Sequence, residues 1–221
     1  MTSTDELFAA IESGDADAVT TILRADPSLV DARDAEGVSA LMRAGYRFDR
    51  PLVAAVMAGE PNLDVFESAA FGELDRLTHV LDEDPTRATM YSADGFTALH
   101  FAAFFGQTDA GRLLLDRGAD VDARGRGWMT GTPLHSAASR SHEDVARILL
   151  DAGADPNLRQ SAGWTPLHSA AHNGVAGFVS LLLSHGADPT ATNDEGTSVL
   201  GMAEENGNPE TIGRVRLALN G

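Results

Sequence analysis

Several residue types are missing or scarce in this 221-residue chain, and each absence closes off a class of function. There is no cysteine, so no disulfide framework, no thiolate zinc site and no thiol nucleophile can be built. There is no lysine either. All sixteen basic residues are arginine, so every cationic contact is a guanidinium, which suits bidentate pairing with carboxylates. No apolar run approaches the roughly 18 residues that a membrane span needs. The first residues are acidic and lack a basic segment followed by an apolar one, which argues against a secretory signal and predicts a cytoplasmic protein with no membrane partner.

Positive charge is scarce overall. The formal net charge is −17, from 33 acidic against 16 basic residues. Binding to nucleic acid draws its affinity mainly from neutralising phosphates, so this balance argues against a direct nucleic-acid partner. What the chain does have is apolar material: 43% hydrophobic residues suffice for a packed core.

That material is arranged as a repeat. The residues separating two helical patterns are Gly14, Phe48, Gly72, Gly106, Ser141, Gly174 and Gly207, at steps of 34, 24, 34, 35, 33 and 33. The second step is short. Residues 5–41 match residues 63–99 at an offset of 58: Asp26-Pro27 falls on Asp84-Pro85, and Gly37 falls on Gly95. A period near 33 marks stacked helix pairs, each too small to bury its apolar face alone. About seven units follow, at 4–33, 34–62, 63–92, 93–126, 127–159, 160–192 and 193–221, forming one domain over 1–221 whose first and last units act as caps.

The residue types fit this plan. Ser3 with Glu6 predicts a capping box at the first helix. Thr97, Thr132 and Thr165 are suited to cap later inner helices, with Pro133 and Pro166 in the first helical position. The alanine pairs 102–103, 137–138 and 170–171 keep inner helices slim. Gly118, Gly153 and Gly186 close the outer helices, where positive φ is expected. In the second unit an inner helix over 40–47 and an outer helix over 52–58 are predicted, with Pro51 in the first turn.

Thr-Pro-Leu-His at 132–135 and 165–168, Thr-Ala-Leu-His at 97–100, the alanine pairs and Gly-Ala-Asp at 118–120, 153–155 and 186–188 resemble the signature of ankyrin repeats. The resemblance is strongest over 93–200. It implies an all-α, ankyrin-type solenoid of about seven helix-pair units with β-hairpin or turn tips. It also implies a partner protein bound by the concave face and the tips. By that carry-over, the strip and tip positions supply Tyr46, Arg47, Phe71, Tyr91, Phe96, Phe104, Phe105, Arg124, Arg126, Trp128, Arg140, Trp164 and His172. Five of the thirteen aromatics lie between Tyr91 and Phe105, and aromatics with arginine are typical of binding hot spots. The expected partner is a protein with acidic and aromatic or apolar elements, bound by a monomer.

No catalytic, metal or cofactor set emerges. His100, His135 and His168 occupy equivalent positions on successive units. Helices pack roughly 8–10 Å apart, whereas zinc ligands must each stand about 2 Å from one ion. The resemblance to ankyrin repeats implies instead that these histidines form structural hydrogen bonds between repeats. His168 and His172 are four apart, but Ser169 stands where a metalloprotease helix needs glutamate. Phe66 is read as the replacement for the repeat histidine in the third unit, and His79, His142 and His185 as solvated. Two rival functions stay open: an enzyme or small-ligand protein using Tyr46, Arg140 or His172 in an aromatic groove, and an acidic mimic of nucleic acid.

Overall fold

A computed structural model describes residues 3–127 and 129–220. Fourteen α-helices follow one another in pairs among them: α1 (Thr4–Ser13) and α2 (Ala16–Ala25), α3 (Ala40–Tyr46) and α4 (Arg50–Met57), α5 (Val65–Phe71) and α6 (Leu74–Glu83), α7 (Ala98–Phe105) and α8 (Thr108–Asp116), α9 (Pro133–Arg140) and α10 (Glu143–Asp151), α11 (Pro166–His172) and α12 (Ala176–Ser184), α13 (Val199–Asn206) and α14 (Pro209–Leu219). No extended strand occurs among the described residues. The tips are tight turns, three of them closed by single antiparallel bridges, Arg33 with Ser39, Tyr91 with Thr97 and Thr192 with Ser198. The fold is therefore an all-α repeat solenoid whose hairpin tips are reduced to turns.

The chain divides into two compact units, one ending at Glu67 and one beginning at Ser68. In the first, α1 packs on α3 and α2 on α4. Its core is Leu7, Ile11, Leu41, Leu52 and Val56, all essentially inaccessible. Ser3 and Glu6 form the predicted capping box, and Pro51 sits in the first turn of α4. In the second unit the inner helices stack as α7 on α9, α9 on α11 and α11 on α13. The outer helices stack as α6 on α8, α8 on α10, α10 on α12 and α12 on α14. All six paired alanines are buried, where a small side chain keeps the inner helices slim enough to stack.

The 58-residue offset has a structural counterpart. Asp26 and Asp84 each precede a proline and open a 3-10 turn, Pro27–Asp31 and Pro85–Thr89. Each carboxylate accepts the hydroxyl hydrogen of the residue two positions on, Ser28 or Thr86, at 2.6 Å.

The two positions that replace the separating glycine keep the glycine conformation. Phe48 has φ 53° and Ser141 has φ 59°. The left-handed region costs an ordinary residue about 1–2 kcal/mol. Ser141→Gly relieves that strain but adds unfolded-chain entropy. The substitution is expected to raise stability by about 0.5–1 kcal/mol. A rise of about 1–4 °C in Tm follows for a chain of this size, measured by circular dichroism; a lower Tm would show that the Ser141 hydroxyl bond to Asn173 outweighs the strain.

One position departs from the sequence reading. Asp64 caps α5, accepting the Glu67 N–H at 2.9 Å, while Glu67 accepts the Asp64 N–H, also at 2.9 Å. The third residue after the cap is therefore Glu67, not Phe66, because α5 starts one position later than alignment on Gly72 implies. Glu67 is buried. Burial pushes its pKa up, with the nearby Asp64 charge adding to this, against a hydrogen bond from Ser39.

Candidate partner-binding surface

The repeat histidines explain how successive tips are held in register. Nδ1 of His100 accepts the Thr97 N–H at 3.2 Å, closing the capping box of α7. That fixes the neutral tautomer, and Nε2–H donates to the Gly131 carbonyl of the next repeat at 3.0 Å. His135 repeats the arrangement with Thr132 and the Trp164 carbonyl, and His168 with Thr165 and the Thr197 carbonyl. All three rings are buried. Burial holds His100 and His135 down to about 4 from an ordinary value of 6.5, and lowers His168 in the same direction. Among the described residues no three histidines or carboxylates meet in a way that could hold a metal ion.

A second set of inter-repeat bonds was not anticipated. His142, read from the sequence as solvated, directs Nε2 to the Phe104 carbonyl at 3.1 Å and lies against Gly106. Burial lowers its pKa. Asn173 donates to the Ala138 carbonyl at 3.0 Å, and Asn206 to the His172 carbonyl at 2.9 Å. These side chains satisfy the orphan carbonyls at the ends of the preceding inner helices. Their only sequence signal is a polar residue at or beside the separating position.

The candidate binding residues divide into several groups. Tyr46 and Arg47 belong to the first compact unit. Tyr46 is half-buried at the end of α3, and the exposed Arg47 lies over Gly14. The rest of the described set belongs to the second unit, where none is fully buried. Trp128 lies outside the described residues.

Some of these residues join tip to tip. The Arg126 guanidinium stands 3.5 Å above the Tyr91 ring, and the Arg126 backbone N–H donates to the Gly95 carbonyl at 2.9 Å. Arg124 donates to the Arg159 carbonyl at 2.6 Å. Arg159 in turn donates to the Thr192 carbonyl at 2.9 Å and pairs with Asp194 at 2.8 Å. Trp164 and His172 form a separate pair on the sixth repeat, ring centroids 6.4 Å apart.

The two adjacent phenylalanines have different surroundings. Their rings meet edge-on at 5.2 Å. Phe105 also packs 5.7 Å from Phe71. Phe104 instead lines an open depression of about 340 Å³ between α7 and α9, together with Phe96, Met129, Ser136, Ser139, Arg140 and Gln160. The buried His135 and Gly131 form its floor. The Arg140 guanidinium is 5.7 Å from the Phe104 ring. Ser136 was not singled out in the sequence; it stands four residues before Arg140, on the same helix face. The depression thus unites Phe96, Phe104 and Arg140 from the predicted set. Among the described residues it offers apolar surface, one cation and hydroxyl and amide groups, with no nucleophile paired to a base.

Comparison with known proteins fits this architecture. Over 66 residues the chain is 44% identical to a probable E3 ubiquitin-protein ligase of Oryza sativa subsp. japonica, covering 28% of this chain and 14% of that protein. Over 127 residues it is 34% identical to a palmitoyltransferase of Aspergillus oryzae, covering 56% of this chain and 16% of that protein. The chain thus spans less than a fifth of the length of these relatives. Among the described residues no helix is long and apolar enough to cross a membrane. A family model described as ankyrin repeats (three copies) matches residues 7–125, 52–160 and 134–214, and the chain belongs to the ankyrin-repeat family.

Proposed function

We propose that this chain is a non-enzymatic interaction module that binds another protein through the inner-helix ends and tips of its repeats. Ankyrin repeats in general are protein-interaction modules and typically non-catalytic. The observation that carries the reading further is the depression between α7 and α9, where half-buried aromatics and an exposed arginine share one open concavity. Apolar patches of this kind on a folded surface mark binding sites, and aromatic and arginine side chains dominate their energetics. The partner we infer carries acidic and apolar elements. His135 supports a non-catalytic reading: both ring nitrogens are committed to the repeat framework, so it is not poised as a base.

Phe104 is the side chain on which capture should depend. Phe104→Ala is expected to abolish enrichment of partners from native lysate, read by mass spectrometry against the unmodified chain. Phe105→Ala, which alters the packing against Phe71, is expected to weaken it less. Equal enrichment by the Phe104 variant and the unmodified chain would contradict the reading.

A further inference from the structure

The depression between α7 and α9 carries a local charge opposite to that of the chain. The net charge is −17, yet among the described residues the lining contains one guanidinium, Arg140, and no carboxylate. His135, in the floor, is held neutral by burial. The apolar part of the lining is Phe96, Phe104 and Met129. A space of about 340 Å³ accommodates one large side chain with its flanking backbone; it does not accommodate the face of a folded domain.

The lining also sets a spacing. Phe96 and Met129 come from tips and Ser136 from the first half of α9, while Arg140 ends that helix. The Arg140 guanidinium, which would meet an acidic group, lies 5.7 Å from the Phe104 ring that lines the apolar part. Two residues of extended chain span about 6.6–6.8 Å and point to the same side. A helical ligand could match the distance at i, i+4. A helix about 10–12 Å across fills more than about 400 Å³ in one 5.4 Å turn, more than the roughly 340 Å³ of the depression, so it would bridge the depression and not enter it. Ser136 and Gln160 line the same space and offer hydrogen-bonding groups to an extended backbone.

Resting on the binding role proposed above, we propose that this depression reads an extended segment of another protein. In that segment one acidic residue meets Arg140, and one large apolar residue two positions away fills the space between Phe96, Phe104 and Met129.

Selection of displayed random dodecapeptides on the full chain tests this, with parallel selections on Arg140→Glu and Phe104→Ser. Arg140 is exposed, so its variant should fold as the unmodified chain does, checked by circular dichroism. The unmodified chain should enrich peptides with aspartate or glutamate two positions from phenylalanine, leucine, methionine or tryptophan. Arg140→Glu should bind those peptides about tenfold more weakly and instead select arginine or lysine at the acidic position. Enrichment without an acidic residue, acidic and apolar residues three or four apart, or identical selections on Arg140→Glu would overturn this inference. If Phe104→Ser loses those same peptides, the binding role still stands. Peptides retained by Phe104→Ser, or no enrichment on the unmodified chain, would overturn both.

Discussion

Lowering the pH from 6.5 to about 4 should remove on the order of 6 kcal/mol of folding stability through two buried histidines. In the unfolded chain His100 and His135 take up protons near the ordinary value of 6.5; in the folded chain they resist until about 4. The unfolded state therefore binds more protons throughout this window. Stability is complete above 6.5 and falls as pH drops toward 4. A displacement of that size is worth about 3 kcal/mol per group. The cause is burial, reinforced by geometry: Nδ1 already faces the Thr97 or Thr132 N–H, and a proton there would set donor against donor. His168 shifts in the same direction. Glu67 works the other way, because burial raises its pKa and the folded state gains its proton first. Reduced repulsion among surface carboxylates also opposes the loss, and high salt suppresses that contribution. Domains typically have only about 5–15 kcal/mol to lose, so the histidine effect should dominate. Urea midpoints near neutral pH and near pH 4, in high salt, measure it. His135→Gln should flatten the dependence, and a flat profile in the unmodified chain would contradict the buried-histidine account.

Leu134→Ala is expected to cost about 2–5 kcal/mol. Leu134 is completely buried in α9, which packs between α7 and α11. Truncation leaves a cavity where neighbouring repeats meet, and rigid inner helices cannot collapse into it. Each repeat is stable only through its neighbours, so the damage should spread to both sides. Leu217→Ala is the control. Leu217 is 72% exposed on the last helix, and its loss should stay within about 0.5 kcal/mol. Chemical denaturation of the two variants would show the contrast; similar midpoints would deny the stacking described for the second unit.

The repeat register was largely legible in the sequence because local chemistry and period agree. Threonine caps, prolines in the first turn, paired alanines and closing glycines each have a local reason to stand where they do, and each is found there. Even the irregular second repeat was readable from Pro51 and its spacing. The legibility failed where contact with another repeat decides. His142, Asn173 and Asn206 reach back about a full repeat to bond carbonyls, and no local pattern announces this. Phe66 was misplaced because a one-residue shift in the start of α5 puts Glu67 at the capping position. The aromatics were expected to act as one patch, and nothing local in the sequence signals the different surroundings they have in the structure. Phe104 lines the depression and Phe105 packs on Phe71, although the two are adjacent on one helix. Arg124 and Arg126, expected as binding residues, join one tip to the next, whereas Arg140 lines the depression beside Phe104.

The central claim is that the side chains binding a partner are separable from those holding the repeats together. Phe104→Ala tests it most directly when stability and partner capture are measured on the same preparation. Phe104 is half-buried, so its truncation should cost less than the roughly 3–5 kcal/mol of a fully buried phenylalanine, leaving a cooperative fold while partner enrichment disappears. A variant that unfolds would place Phe104 in the core, and a folded variant that still captures partners at the original level would move the binding surface elsewhere.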